Sequence, residues 1–147
     1  NTKLLYRVEN NIDLAAAVTA KGSALAQGDV IEAIRVPAGT WVLGAGLQKI
    51  TAMTGTSTDL TFDFGVTGGN VDAFVDGWDF DGATVGAFAS LASTNLSDQT
   101  FLSTADTLDI LFVTQTGTVT GGIVRAWAWL LDCSANPRRG GIVQLGT

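Results

Sequence analysis

The stretch DLTFDF, residues 59–64, alternates polar and apolar side chains at every position. Leu60, Phe62 and Phe64 fall on one side, and the two aspartates and Thr61 fall on the other. Successive side chains of a β-strand point to opposite faces of a sheet, so a period of two indicates a strand with one buried face. This segment predicts a half-buried strand of an all-β protein.

Segments with a similar pattern lie on both sides of this strand, at residues 3–8, 29–36, 41–53, 107–114 and 123–131. A Pro-Ala-Gly turn at 37–39 and a turn at Gly117 separate neighbouring segments. The alternation slips near Gly44 and Gly46, which predicts a β-bulge. At least six strands divided by turns predict an antiparallel β-sandwich of the jelly-roll-like kind.

The remaining segments complete one predicted domain, residues 1–147. Residues 1–28 are interpreted as an N-terminal strand followed by an extended arm or loop. Asp13 is a suitable N-cap for a short Ala-rich helix there, but Val18, Thr19 and Gly22 weaken that helix. Residues 65–100 predict a long Gly/Asp-rich loop that covers a sandwich edge. Residues 133–147 predict a C-terminal tail with a short apolar segment at 142–145.

Composition restricts the possible partners. Only 15% of the 147 residues are charged, against about 25% in an average domain, which favours burial of surface against other subunits. The net charge of −6 is unsuited to nucleic acid, whose binding requires a basic face. No apolar stretch is long enough for a membrane helix. The N-terminus lacks a signal-peptide pattern and the single cysteine excludes an intrachain disulfide, so we expect synthesis in the cytoplasm.

Catalytic motifs are missing from the sequence. The chain contains no histidine, which Ser-His-Asp and Cys-His mechanisms need as a proton carrier. The glycine-rich stretches at 65–69 and 117–122 lack the Lys-Ser/Thr of a phosphate-binding loop and predict turns. We therefore expect a protein that is not an enzyme and that needs no cofactor.

An acidic cluster is the best candidate for a metal site. Asp72, Asp76, Asp79 and Asp81 lie close together, and Ca²⁺ favours several oxygen ligands within a short loop. The cluster lacks the bidentate glutamate that closes an EF-hand loop. We favour the alternative, a turn-rich loop whose aspartates bond to their own backbone, and predict no metal.

Tryptophans mark a candidate interaction surface. Trp127 and Trp129 lie two residues apart on one face of a predicted strand, beside Arg125, which is placed for a cation–π contact. Trp41 follows a turn, and Trp78 lies in the acidic loop. Large aromatic side chains of this kind favour packing in a core or a subunit interface. A platform on which sugars stack is the alternative.

Four segments carry a resemblance that spans residues 20–132. They are GDVIEAIRVPAGTWVLGAG at 28–46, DAFVDGWD at 72–79, TADTLDI at 104–110 and GGIVRAWAW at 121–129. In pattern and composition the chain resembles small structural proteins of tailed bacteriophages, especially marine ones, some of which are capsid decoration, or cement, proteins. The resemblance brings no catalytic residues with it.

The resemblance implies a β-sandwich protein on the outside of an icosahedral head, frequently a homotrimer, that clamps neighbouring copies of the major capsid protein. The expected location is the capsid surface of the virion. Two other functions remain open. One is a tail or head-fibre module that contacts host glycans. The other is a secreted carbohydrate-binding or adhesin-like module, against which the missing signal-peptide pattern argues.

Overall fold

A computed structural model of the protein describes residues 5–90 and 100–134. Within these residues the chain forms nine strands and one helix. The elements are β1 (Leu5–Asp13), α1 (Leu14–Lys21), β2 (Val30–Val36), β3 (Thr40–Gly55), β4 (Asp59–Gly65), β5 (Val75–Asp79), β6 (Phe88–Ala89), β7 (Thr100–Leu102), β8 (Asp106–Thr116) and β9 (Val119–Asp132).

The strands form two antiparallel sheets. One has the order β1-β9-β3-β6, with β7 also paired to β3, and the other has the order β2-β8-β4-β5. If β6 and β7 count as two parts of one edge strand, β1 pairs with β9, β2 with β8, β3 with the combined edge strand, and β4 with β5. This nested pairing is the eight-stranded arrangement of a jelly roll, so the predicted fold class is confirmed.

The core lies between the sheets. The four-stranded sheet contributes its large side chains, led by Phe62, Phe64 and Phe112, and Phe80 from the loop after β5 joins them. The Phe62 ring packs edge-on against the Phe112 ring, with centroids 4.9 Å apart. The five-stranded sheet contributes smaller ones, among them Val42, Leu47, Val124, Ala126, Ala128 and Leu130. Phenylalanines on one sheet thus face mainly aliphatic side chains on the other.

The predicted extended arm at residues 9–28 is wrong. β1 continues to Asp13 and pairs with β9 along its whole length. The Asp13 side chain then caps α1 by accepting bonds from the backbone N–H groups of Ala15 and Ala16, at 2.9 and 3.4 Å. Gly22 ends the helix in the left-handed conformation, with φ of 73°. The cap, the C-terminal glycine and burial of Leu14 therefore outweigh the weak helix propensity of the intervening residues.

Other expectations are refined. The bulge near Gly44 is confirmed, because the pairing of β3 with β9 shifts between Val42 and Gly44. The region 65–100 contains the edge strand β5 as well as β6, so only parts of it are loop. Most of the predicted tail, 135–147, lies outside the described residues.

The edges of the two sheets meet on one side of the sandwich, where β1 faces β2. The Asn10 side-chain amide donates a 2.9 Å hydrogen bond to the backbone carbonyl of Ala33. Ala33 sits at a bulge in β2, because the pairing with β8 shifts between Glu32 and Ile34. A single side chain therefore joins the two sheet edges.

Candidate functional site

The outward side of the five-stranded sheet is rich in exposed apolar side chains. We call it the aromatic face and define it by Leu5, Trp41, Phe88, Phe101, Trp127, Trp129 and Leu131. Leu5 is 56% exposed, Trp41 38%, Phe88 62%, Phe101 47% and Trp129 44%. Most of the large exposed hydrophobic residues in the described chain therefore lie on this one face.

Strand register arranges the aromatic face in rows. Leu131 pairs with Leu5 on one side and with Trp41 on the other, and Trp41 pairs in turn with Phe101. These four side chains form one apolar row across β1, β9, β3 and β7, roughly 15 Å wide at the usual strand spacing. The Trp41 and Phe101 rings lie with their centroids 6.2 Å apart.

Trp127 lies flat against the sheet rather than projecting from it. Its indole covers Gly46 so closely that a Cβ there would lie 2.6 Å from the indole Cζ2 atom. The Arg7 guanidinium lies over the ring, 5.9 Å from its centroid, and forms an ion pair with Glu9 at 3.1 Å. Arg7 therefore makes a cation–π contact with Trp127, the contact that the sequence suggested for Arg125, and Arg125 stays a candidate interface residue.

The aromatic face becomes polar toward its other end. Arg125 Nε donates a 3.0 Å hydrogen bond to Asn11 Oδ1. Its other neighbour by register, Gln48, bonds to the backbone carbonyl of Gly86 at 3.3 Å. The face thus grades from an apolar row to a row of hydrogen-bonding groups that ends in the exposed Phe88, the partner of Gln48 on β6.

The candidate tryptophans fall in two places. Trp41, Trp127 and Trp129 share the aromatic face, and packing in the sandwich core is excluded for them because Ala126, Ala128 and Leu130 occupy the inward positions of β9. Trp78 is separate. It pairs with Phe62 on the other sheet and packs edge-on against Phe80, with centroids 5.6 Å apart, so it belongs to the margin of the core.

A buried lysine, Lys49, binds the loop that follows β5, and the sequence pattern did not reveal this role. Lys49 is 3% exposed. Its Nζ donates to the backbone carbonyls of Phe80, Asp81 and Ala83 at 2.7, 3.0 and 2.7 Å. It also lies 4.9 Å from the centroid of the Phe80 ring. The three donors of an ammonium match these three acceptors, so a lysine charge organises the loop after β5.

Two aspartates of this region, Asp79 and Asp63, accept hydrogen bonds from backbone groups. Asp79 Oδ1 accepts from the N–H of Gly82 at 2.7 Å. Asp63, buried on β4, accepts from the N–H of Gly77 at 2.7 Å. Burial raises the pKa of Asp63, the Gly77 bond opposes that shift, and the charges of Asp76 and Asp72 add to it.

Support for calcium binding at Asp72, Asp76, Asp79 and Asp81 is absent from the described residues, where no three acidic, cysteine or histidine side chains are placed to hold a metal ion. The carbonyls of the same loop that could serve as ligands are bound by Lys49 instead. Among residues 5–90 and 100–134, no helix is long and apolar enough to cross a membrane.

The outward side of the four-stranded sheet has the opposite character. We call it the acidic face and define it by Glu32, Asp59, Asp63, Asp79 and Asp109, which strand register places away from the core. Asp109 is almost fully buried beneath the loop that follows β4, and its Oδ2 accepts a hydrogen bond from the N–H of Thr67 in that loop at 3.3 Å. The two broad faces of the sandwich therefore differ in charge and in aromatic content.

Comparison with known proteins gives two structural neighbours. A chain from the capsid of Ralstonia phage GP4 matches with a TM-score of 0.62 and 15% identity, over 90% of this chain and 86% of its own. A chain from the cyanophage Pam1 capsid asymmetric unit matches with a TM-score of 0.56 and 14% identity, over 86% of this chain and 84% of its own. At such identities the likeness establishes a shared fold.

By sequence, no protein-family model and no curated protein matches the chain. The share of each chain that the match covers shows how long the two neighbours are. Each match spans nearly the same share of both chains, so each neighbour is a chain of about the same length as this one. The shared fold therefore comprises most of each neighbouring chain.

Proposed function

We propose that the protein is a structural component of a phage capsid, bound as a decoration or cement protein to the outside of the head. The observation that supports this most is the near full-length likeness to two chains of similar size from phage capsids. The proposed partner is the major capsid protein, and the proposed site is the boundary between neighbouring capsomers. The proposed assembly is a homotrimer in the virion, made in the host cytoplasm.

Surface chemistry is consistent with this role. A protein that stands on a shell has one surface turned to its neighbours and another turned to water. The aromatic face supplies apolar contact area, and the acidic face supplies charge that keeps a crowded particle soluble. Many identical contacts on one particle add avidity, so each copy needs only modest affinity.

Co-sedimentation tests the proposal. Purified protein is mixed with expanded phage heads that lack it, the heads are pelleted, and the pellet is imaged by electron cryo-microscopy. We expect saturable binding and density at regular positions between capsomers, on the outer surface. No binding at concentrations well above those in an infected cell refutes the decoration role. Density forming the continuous shell itself also refutes it and assigns a shell-building role.

The exposed indoles favour one alternative function, a tail or head-fibre module that binds host glycans. Trp41 and Trp129 present ring surface to solvent, and Trp129 pairs across the sheet with Arg7, so exposed rings and a hydrogen-bond donor lie together as in sites on which sugars stack. Titration of host glycans against the intrinsic tryptophan fluorescence tests this function. A saturable change that Trp129→Ala abolishes supports glycan binding, and an unchanged spectrum with the whole glycan set refutes it.

A further inference from the structure

We infer that the aromatic face is the surface through which copies of this chain associate with one another. The inference deepens the proposed function by naming the contact surface of the proposed oligomer. It can be tested on the purified protein alone, so its outcome does not depend on whether the protein binds heads.

The exposed apolar area of the aromatic face supports this inference. From their exposed fractions, Leu5, Trp41, Phe88, Phe101 and Trp129 together leave about 500 Å² of apolar surface in water. That value lies at the upper end of the roughly 300–600 Å² seen for the largest apolar patch on a typical monomer. A standard interface buries about 800 Å² per partner, so these residues supply more than half of one side.

Charge favours the same face. Each copy has a net charge of −6, which opposes association unless the contact surface is locally neutral or positive. Among the described residues, strand register places Arg7 and Arg125 against Glu9 and Asp13 on the outward side of this sheet, which leaves it without net charge. The acidic face carries five carboxylates, and Arg35 is the one basic residue that register places there among the described residues. Copies therefore repel one another least when they approach through their aromatic faces.

Self-complementarity supports the same conclusion. Around the threefold axis of a homotrimer, side chains that lie close to the axis meet the same side chains of the other copies. Here an apolar row can meet the same row of the other copies, while Arg7 and Glu9, two residues apart on β1, lie beside it with opposite charges. An exchange of these two charges between copies would replace the exposed ion pair within one strand. Apolar contacts with polar groups at their margin are the usual anatomy of a protein interface.

Sedimentation velocity, over a concentration series from nanomolar to tens of micromolar, tests the inference. The test variant is the double substitution Trp41→Thr with Phe101→Thr, which keeps β-forming residues at two exposed positions of the apolar row. The control is Val30→Thr, which removes an exposed apolar side chain from β2 of the other sheet. Circular dichroism and thermal unfolding establish that each variant is folded.

We expect the wild type and the control to form the same oligomer, and the test variant to dissociate with an affinity weakened about 30-fold or more, as for the loss of interface hot spots. A wild type that stays monomeric throughout the series overturns the inference, and so does a folded test variant that associates like the wild type. A test variant that keeps its oligomer but no longer binds heads also overturns it and assigns the face to the shell. If the wild type fails to bind heads while the test variant dissociates, the proposed function falls and this inference stands.

Discussion

The substitution Lys49→Met isolates the role of the buried ammonium. Methionine keeps the unbranched apolar stem that packs beside Phe80 and removes the three N–H donors. In the variant, the carbonyls of Phe80, Asp81 and Ala83 lose the partner they have in the wild type. The loop after β5 would then be joined less firmly to β3.

The expected loss follows from the burial of each carbonyl. The bond to Phe80 is buried, so its loss costs about 1–3 kcal/mol, the usual penalty for an unsatisfied buried group. The other two bonds are half-buried, so water can replace the lysine there at a cost of about 0.5–1 kcal/mol each. Methionine avoids the desolvation of a charge, which offsets part of the loss. We expect a net destabilisation of about 3 kcal/mol, or about 10 °C in the midpoint of thermal unfolding.

Urea unfolding followed by tryptophan fluorescence and by circular dichroism measures this loss. The matched control is Lys21→Met, since Lys21 forms its ion pair with Asp29 at the surface. Exposed pairs contribute at most about 1 kcal/mol, so the control should unfold close to the wild type. If Lys49→Met has the same urea midpoint as Lys21→Met, or a higher one, the three hydrogen bonds of Lys49 add no net stability and the reasoning is refuted.

Three further substitutions have defined outcomes. Gly46→Ala places a Cβ 2.5 Å from the Ala89 carbonyl oxygen and 2.6 Å from Trp127 Cζ2, and it should cost about 2–3 kcal/mol in urea unfolding. Gly44→Ala meets no atom within 4 Å and should be neutral, so equal effects of the two substitutions would contradict this reasoning. Burial raises the pKa of Asp63, so the folded protein keeps the proton on this carboxyl up to a higher pH than the unfolded chain does. Asp63→Asn should therefore be more stable than the wild type at pH 7 and should lose that advantage as the pH falls to 3.5. Asp13→Ala removes the α1 cap and should cost about 1 kcal/mol in thermal unfolding, while an unchanged midpoint would show that the cap is dispensable.

The strands could be predicted because their pattern is local. In β4, β8 and β9 the side-chain period of two is visible within seven to nine residues of sequence. β6 and β7 contain only two and three residues, too few to show any period. Their position is set by the free edge of β3 rather than by their own sequence.

The orientation of β9 could not be predicted from its own residues. Both of its faces are apolar, one with alanines and the other with tryptophans, and size alone favours burial of the tryptophans. The structure buries Ala126 and Ala128 instead. The opposite sheet already fills the core with phenylalanines, so only small side chains fit on β9. That constraint is set by residues such as Phe62, which lie far away in sequence.

The role of Lys49 was equally inaccessible. Its three acceptors lie 31 to 34 residues further along the chain, and all of them are backbone carbonyls, which carry no side-chain signature. From sequence, a lysine within an apolar strand and a row of aspartates in a later loop appear as unrelated features. Tertiary packing brings that loop onto the lysine.

The join between β1 and β2 bears on how densely this protein can be packed without polymerising. An open strand edge offers free N–H and C=O groups to any strand that approaches it, and such edges are a common start of aggregation. Here the Asn10 amide already occupies the Ala33 carbonyl, and the bulge at that residue breaks the straight edge that an incoming strand would need. At the β1 and β2 edges, copies held side by side at high local concentration are thereby protected from cross-strand pairing, and association there is left to the broad faces of the sandwich.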